Sequence, residues 1–135
     1  MPDPKGLKIE TMRSTLSRAR GLGAANTGVQ EWWMQRLTSL ALIPLTLWFV
    51  FSLVQLTGAP YAVVHAWAGT PIHATLLLAL IAITFQHMRM GVQTIAEDYI
   101  HGTTVRLTLT LAVKAASLLL ALAATIAVLK LAIAG

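Results

Sequence analysis

Between Gln86 and His101 the sequence QHMRMGVQTIAEDYIH sets two histidines, an arginine, two acids and a phenol at the end of a long apolar stretch. His87, Gly91, Thr94 and Asp98 follow at steps of 4, 3 and 4, which at ~100° per residue places them on one face of a helix. Ionisable groups so close to hydrocarbon are costly to keep and mark function. A lone histidine in such a helix has three readings: a hydrogen-bonded packing residue, a proton-relay group, or an axial ligand to haem iron. Gly91, one turn on, adds weight to the third, since a glycine lets a flat macrocycle approach the backbone, although it would equally admit another helix. Tyr99 carries a hydroxyl able to bond a carbonyl acceptor, at a helix end open to protons from water.

The elements that must position these residues are membrane helices. The chain has 135 residues, 56% hydrophobic and 11% charged, with a mean hydropathy of +0.71, too apolar for a soluble domain of this size. A span needs ~20 apolar residues. Three such stretches fill most of the chain after residue 36 and leave no room for a soluble catalytic domain. The absence of cysteine excludes a thiolate-held iron–sulfur cluster, a disulfide and a zinc–thiolate site within the chain. The net charge of +5 does not point to nucleic acid, because six of the ten basic residues precede the first span, the pattern of a topology signal.

Residues 1–30 read as a basic, cytoplasmic arm containing Lys5, Lys8, Arg13, Arg18 and Arg20, without sustained helical periodicity. Its Arg and Ser content resembles an organelle transit peptide, against which Asp3 and Glu10 count. Residues 31–135 form the expected membrane domain. Trp32, Trp33 and Arg36 stand where interface anchors do, and the first helix is expected at about 37–57, kinked at Pro44. Thr38 and Ser39 read as ordinary helix hydroxyls. Arg36 either snorkels or turns inward to meet an anion. Residues 58–70 read as a loop free of Lys and Arg, which puts the N-terminus inside, in cytoplasm or the equivalent mitochondrial matrix, and the C-terminus outside. The second helix is expected at about 71–97, opening at Pro71, and the third at about 105–132, with Lys114 snorkelling. The fold class is therefore all-α: an integral membrane protein of three transmembrane helices, fit for a larger bundle with a partner.

His73 precedes His87 by 14 residues, nearly on the same face but ~21 Å away along the axis, so the two cannot ligate one iron. Two stacked haems would require a second helix with the same interval, and the first and third helices contain no histidine. His73 is read as interfacial and His101 as a loop residue. A haem with two histidine ligands would draw its second from another chain.

The combination His87, Gly91, Asp98-Tyr99, with Glu97-Asp98-Tyr99-Ile100-His101, Trp32-Trp33-Met34-Gln35-Arg36-Leu37-Thr38 and the three-span layout, resembles the hydrophobic membrane-anchor subunit of succinate dehydrogenase, respiratory complex II, in its alphaproteobacterial and mitochondrial form. The resemblance covers about residues 12–132. It implies that His87 is an axial ligand of haem b shared with a second membrane-anchor subunit, that Arg36 lies near the haem propionates and that Gly91 admits the macrocycle. It also implies that Tyr99 donates a hydrogen bond to ubiquinone, with Asp98 beside it. An ideal helix puts Tyr99 ~120° around and ~18 Å along from His87, so haem and quinone would occupy different sides or levels. Arg89, two residues past the ligand, could approach a propionate or snorkel. Succinate oxidation, FAD and the iron–sulfur clusters would belong to the flavoprotein and iron–sulfur partners, docked on a multi-pass protein of the bacterial inner membrane. The competing expectation is a haem-free structural anchor or small helical transport component, in which His87 packs or relays protons.

Overall fold

The computed structural model describes residues 15–16 and 26–134 of the chain, and the expected arm therefore lies largely outside the described residues. Four helices make up the rest: α1 (Asn26–Leu56), α2 (Tyr61–Gly69), α3 (Pro71–Tyr99) and α4 (Thr103–Ile133). Three of them, α1, α3 and α4, are long and apolar enough to cross a membrane.

Helix α1 starts at Asn26 rather than near residue 37, and residues 26–30, read as part of the arm, are already helical. The polar first turns GVQEWWMQR contain no proline and no helix-breaking cluster, so the backbone continues the helix beyond the apolar segment into the headgroup layer. At 31 residues α1 is ~46 Å long, against a hydrocarbon core of ~30 Å. It runs through Pro44 without interruption. Gly58, at φ +78°, then reverses the chain in a conformation that side chains with a Cβ adopt at a cost.

The segment expected as a loop contains α2. Pro60 stands at its N-cap, its carbonyl accepting from the Val63 and Val64 amides at 3.0 and 3.3 Å, and the alanine-rich YAVVHAWAG continues the turn thus started. Flanking Gly58, Pro60 and Gly69 disguise it. Gly69 ends α2 against α4, where an added Cβ would lie 3.1 Å from the Leu131 carbonyl oxygen. Helix α3 begins on Pro71 at its first position and α4 on the turn at Gly102.

Helix α3 stands in the middle and packs against both α1 and α4, while α2 lies across α3 and α4. The residues buried at these contacts are small or hydroxylated: Ala68, Ala74, Ala96, Thr38, Ser52 and Ser117, with Val128. Membrane helices associate in this way, because short side chains let backbones approach where lipid offers no hydrophobic drive. Large apolar residues such as Leu40, Leu47, Phe51 and Leu119 point outward instead.

Candidate functional site

Helix α1 and helix α3 meet through one polar contact between side chains. The Oγ1 of Thr38 lies 2.9 Å from Nδ1 of His87, and the same hydroxyl donates back to the Met34 carbonyl at 2.8 Å, with the Gln35 carbonyl at 3.1 Å. A hydroxyl has a single proton. With that proton directed at its own helix, Thr38 accepts from a protonated Nδ1 and Nε2 keeps its lone pair; turned toward the ring, the hydroxyl donates to Nδ1 and the imidazole hydrogen sits on Nε2. Thr38 is buried and His87 half-buried, which makes this bond a fixed feature of the helix pair. Thr38, expected to be an ordinary helix hydroxyl, instead hydrogen-bonds the histidine of the facing helix. Nothing in its sequence neighbourhood distinguishes it from Ser39, whose hydroxyl bonds only the Gln35 carbonyl.

His87 lines two adjoining hollows along α1. One, of ≈ 540 Å³, is walled by Trp32, Gln35, Arg36, Ser39 and Leu40; the other, of ≈ 440 Å³, by Ser39, Leu42, Ile43, Thr46 and Leu47. Together they form a trough that is polar and cationic at one end and apolar at the other, of a size that small-molecule sites have. The Arg36 guanidinium lies 5.2 Å from the centroid of the Trp32 ring, a cation–π contact that holds it at the mouth. A Cβ built on Gly91 meets no atom within 4 Å among the described residues.

Arg36 and His87 thus come to one place, whereas Asp98 and Tyr99 do not join them. Both are exposed in the last turn of α3, Tyr99 to 77%, and neither lines a hollow found among the described residues. Thr94, the remaining member of the stripe, spends its hydroxyl on the Met90 carbonyl at 3.0 Å. Arg89, ~200° around α3 from His87, lines neither part of the trough. It reaches Gln86 Oε1 at 3.0 Å and faces the seams on the other sides of α3. One of these is a polar cleft of ≈ 390 Å³ toward α1, with Glu31, Gln35, Gln93 and Glu97 in its walls.

At the opposite end of the bundle His73 stacks on Trp67 at 4.6 Å and stands 6.0 Å from Trp48. Its Nδ1 donates to the Trp67 carbonyl at 2.9 Å. This aromatic stack ties α1, α2 and α3 together, with Trp48 and Trp67 placed as a membrane-interface aromatic pair.

Three apolar helices, with a histidine lining an outward-facing trough, define a multi-pass membrane protein whose site is built on the side of its bundle. Over residues 10–128 the chain matches the succinate dehydrogenase/fumarate reductase transmembrane subunits, and it belongs to that family. It is similar to the succinate dehydrogenase hydrophobic membrane anchor subunit of Rickettsia bellii, 29% identical over 116 residues, or 86% of this chain and 93% of the relative. The subunit of that name from Paracoccus denitrificans is 28% identical over 86 residues, 64% of this chain and 67% of its own. The succinate dehydrogenase membrane anchor subunit of Reclinomonas americana is 26% identical over 84 residues, covering 60% and 70%. No solved structure matches the chain. The expectation of a succinate dehydrogenase membrane anchor is borne out, and the relatives are subunits of an oxidoreductase complex.

Proposed function

We propose that this anchor binds haem b through His87 and ubiquinone near Tyr99, and docks the flavoprotein and iron–sulfur subunits of a succinate:ubiquinone oxidoreductase to the bacterial inner membrane. The observation that supports the haem assignment is the Thr38–His87 contact beside the trough: Nδ1 donating to Thr38 would leave Nε2 as the nitrogen for iron. An imidazole oriented by a hydrogen bond from its other nitrogen is the usual form of an iron-bound histidine. The donor set fits the group. Nδ1–H bonded to Thr38 raises the basicity of Nε2, Arg36 at the polar mouth would neutralise the propionate carboxylates, and the space at Gly91 leaves the ring room. A bound haem b supplies a one-electron redox centre.

This chain offers one histidine at that level, so the second axial ligand is assigned to a companion anchor subunit. FAD and the iron–sulfur clusters are assigned to the partner subunits, since no cysteine is available here. The exposed Tyr99 hydroxyl is free to donate to a ubiquinone carbonyl, with Asp98 shaping the charge around it. Because Asp98 and Tyr99 stand exposed in the last turn of α3, the quinone pocket is assigned to the junction with a partner.

Replacing His87 tests the reading. His87→Ala in the assembled complex is expected to disturb the low-spin haem absorption spectrum. An unchanged spectrum and unchanged ligand field in a complex of parental composition would reject ligation and leave His87 as a packing or proton-relay residue.

A further inference from the structure

Arg89 of α3 and Lys114 of α4 line the same two hollows on the seam between these helices. No carboxylate lines either hollow. The recorded side-chain partner of Arg89 is the neutral Gln86 amide. Glu31 and Glu97 lie in the cleft on the α1 side of Arg89, where Glu97 is engaged by Gln93 at 3.0 Å. Below the two cations stands Ser117, 4% exposed, whose Oγ has no hydrogen-bond partner. The rest of that hollow is Gln86 and the apolar Ala82, Phe85, Leu118 and Ala121.

The level of these groups in the membrane follows from helix length. Arg89 is ~27 Å along α3 from Pro71, and Lys114 is ~29 Å along α4 from Ile133. The stack of Trp48, Trp67 and His73 beside Pro71 marks one interface. With a hydrocarbon core of ~30 Å, both cations fall at the opposite boundary, where lipid phosphates lie. Ser117, three residues farther along α4, sits ~4.5 Å deeper, at the depth of the lipid's ester carbonyls.

We infer that the α3–α4 seam binds an anionic phospholipid, its phosphate countered by Arg89 and Lys114, an ester carbonyl accepting from Ser117 Oγ, and an acyl chain lying along Phe85 and Leu118. Each layer of the ligand finds a matching layer of the seam. Arg89 and Lys114 turn away from the His87 trough, so the inference stands whether or not haem binds there. Basic pockets between membrane helices recognise lipid headgroups in this way, and each cation near the surface contributes about five-fold in affinity.

The test uses the complex isolated in detergent and titrated with spin-labelled phosphatidylglycerol or phosphatidylcholine. The parental complex is expected to hold phosphatidylglycerol several-fold more tightly, Lys114→Gln to cut that preference about five-fold, and Lys114→Arg to keep it. Equal association of the two lipids with the parental complex would overturn the proposal, and that measurement stands even if a variant fails to assemble. A preference unchanged in an assembled Lys114→Gln complex would overturn it too. Displacement of phosphatidylglycerol by millimolar inorganic phosphate would assign the cations to free phosphate and defeat the lipid reading.

Discussion

Thr38→Val removes one oxygen from the contact between α1 and α3 while keeping the branched shape of the side chain. The consequence depends on what that oxygen does. In the arrangement proposed for ligation Thr38 accepts from His87 Nδ1, 2.9 Å away, and donates to Met34, so in the variant the imidazole hydrogen loses its acceptor while the backbone loses only a redundant donor. An unsatisfied donor in a half-buried setting costs about 1–3 kcal/mol, against about 0.5–1.5 for the bond taken as a net contribution. The ring can escape part of that cost by flipping or moving its proton to Nε2, and either route withdraws the nitrogen proposed to face iron. Loss of such an orienting partner lowers metal affinity about 10- to 100-fold, equivalent to about 1.4–2.8 kcal/mol. The assay is retention of haem by the isolated complex during graded exposure to a competing haem-binding protein, with the low-spin absorption band as the readout. Thr38→Val is expected to lose haem about ten-fold more readily and Thr38→Ser, which keeps the hydroxyl, to behave as the parent. Parental retention in Thr38→Val would refute the argument, because the tautomer would then be set by something other than Thr38.

Two glycines should respond in opposite ways. Gly69→Leu, forced against the Leu131 carbonyl, is expected to lower the thermal stability of the complex by about 1–3 kcal/mol, whereas Gly91→Ala, whose Cβ meets no atom within 4 Å among the described residues, should leave stability near parental and disturb the haem spectrum. Protease access or reporter fusions at the two ends are expected to place the N-terminus in the cytoplasm and the C-terminus on the far side, as the basic residues before α1 require; both ends in one compartment would exclude three spans. Tyr99→Phe keeps the exposed ring but removes its donor, and should slow ubiquinone reduction while sparing succinate oxidation with an artificial acceptor that bypasses the membrane site. Parental rate and affinity for ubiquinone in that variant would return Tyr99 to the role of an interfacial anchor.

The spans and the stripe on α3 were legible because both are periodic or compositional: hydropathy over ~20 residues finds a membrane helix, and steps of 3 and 4 find a face. What escaped depends on contacts between distant residues. Thr38 and His87 are 49 positions apart, and nothing local tells a hydroxyl that bonds only its own helix from one that also hydrogen-bonds an imidazole. Helix α2 escaped for a different reason. Nine residues between glycines and a proline are too short for hydrophobic periodicity to register, and what marks them as helical is the Pro60 start together with packing on α3 and α4. The start of α1 was set too late because hydropathy reports where the hydrocarbon begins, not where the helix does.

That distinction between helix and hydrocarbon orders the chemistry along α3. At 29 residues it exceeds the membrane core by about nine residues. Its excess carries the groups that need water. His73 lies at the far boundary among indoles, His87 just past the middle beside Thr38, and Asp98 and Tyr99 in the final exposed turn. His73 and His87 each hydrogen-bond through Nδ1, and neither Nε2 has a hydrogen-bond partner among the described residues. They differ in what surrounds the open nitrogen: stacked aromatic rings close around His73, whereas a trough with a cation at its mouth adjoins His87. The same ring nitrogen therefore serves packing at one end of the helix and meets Thr38 beside a trough toward the other. The surroundings, not the histidine itself, separate the two.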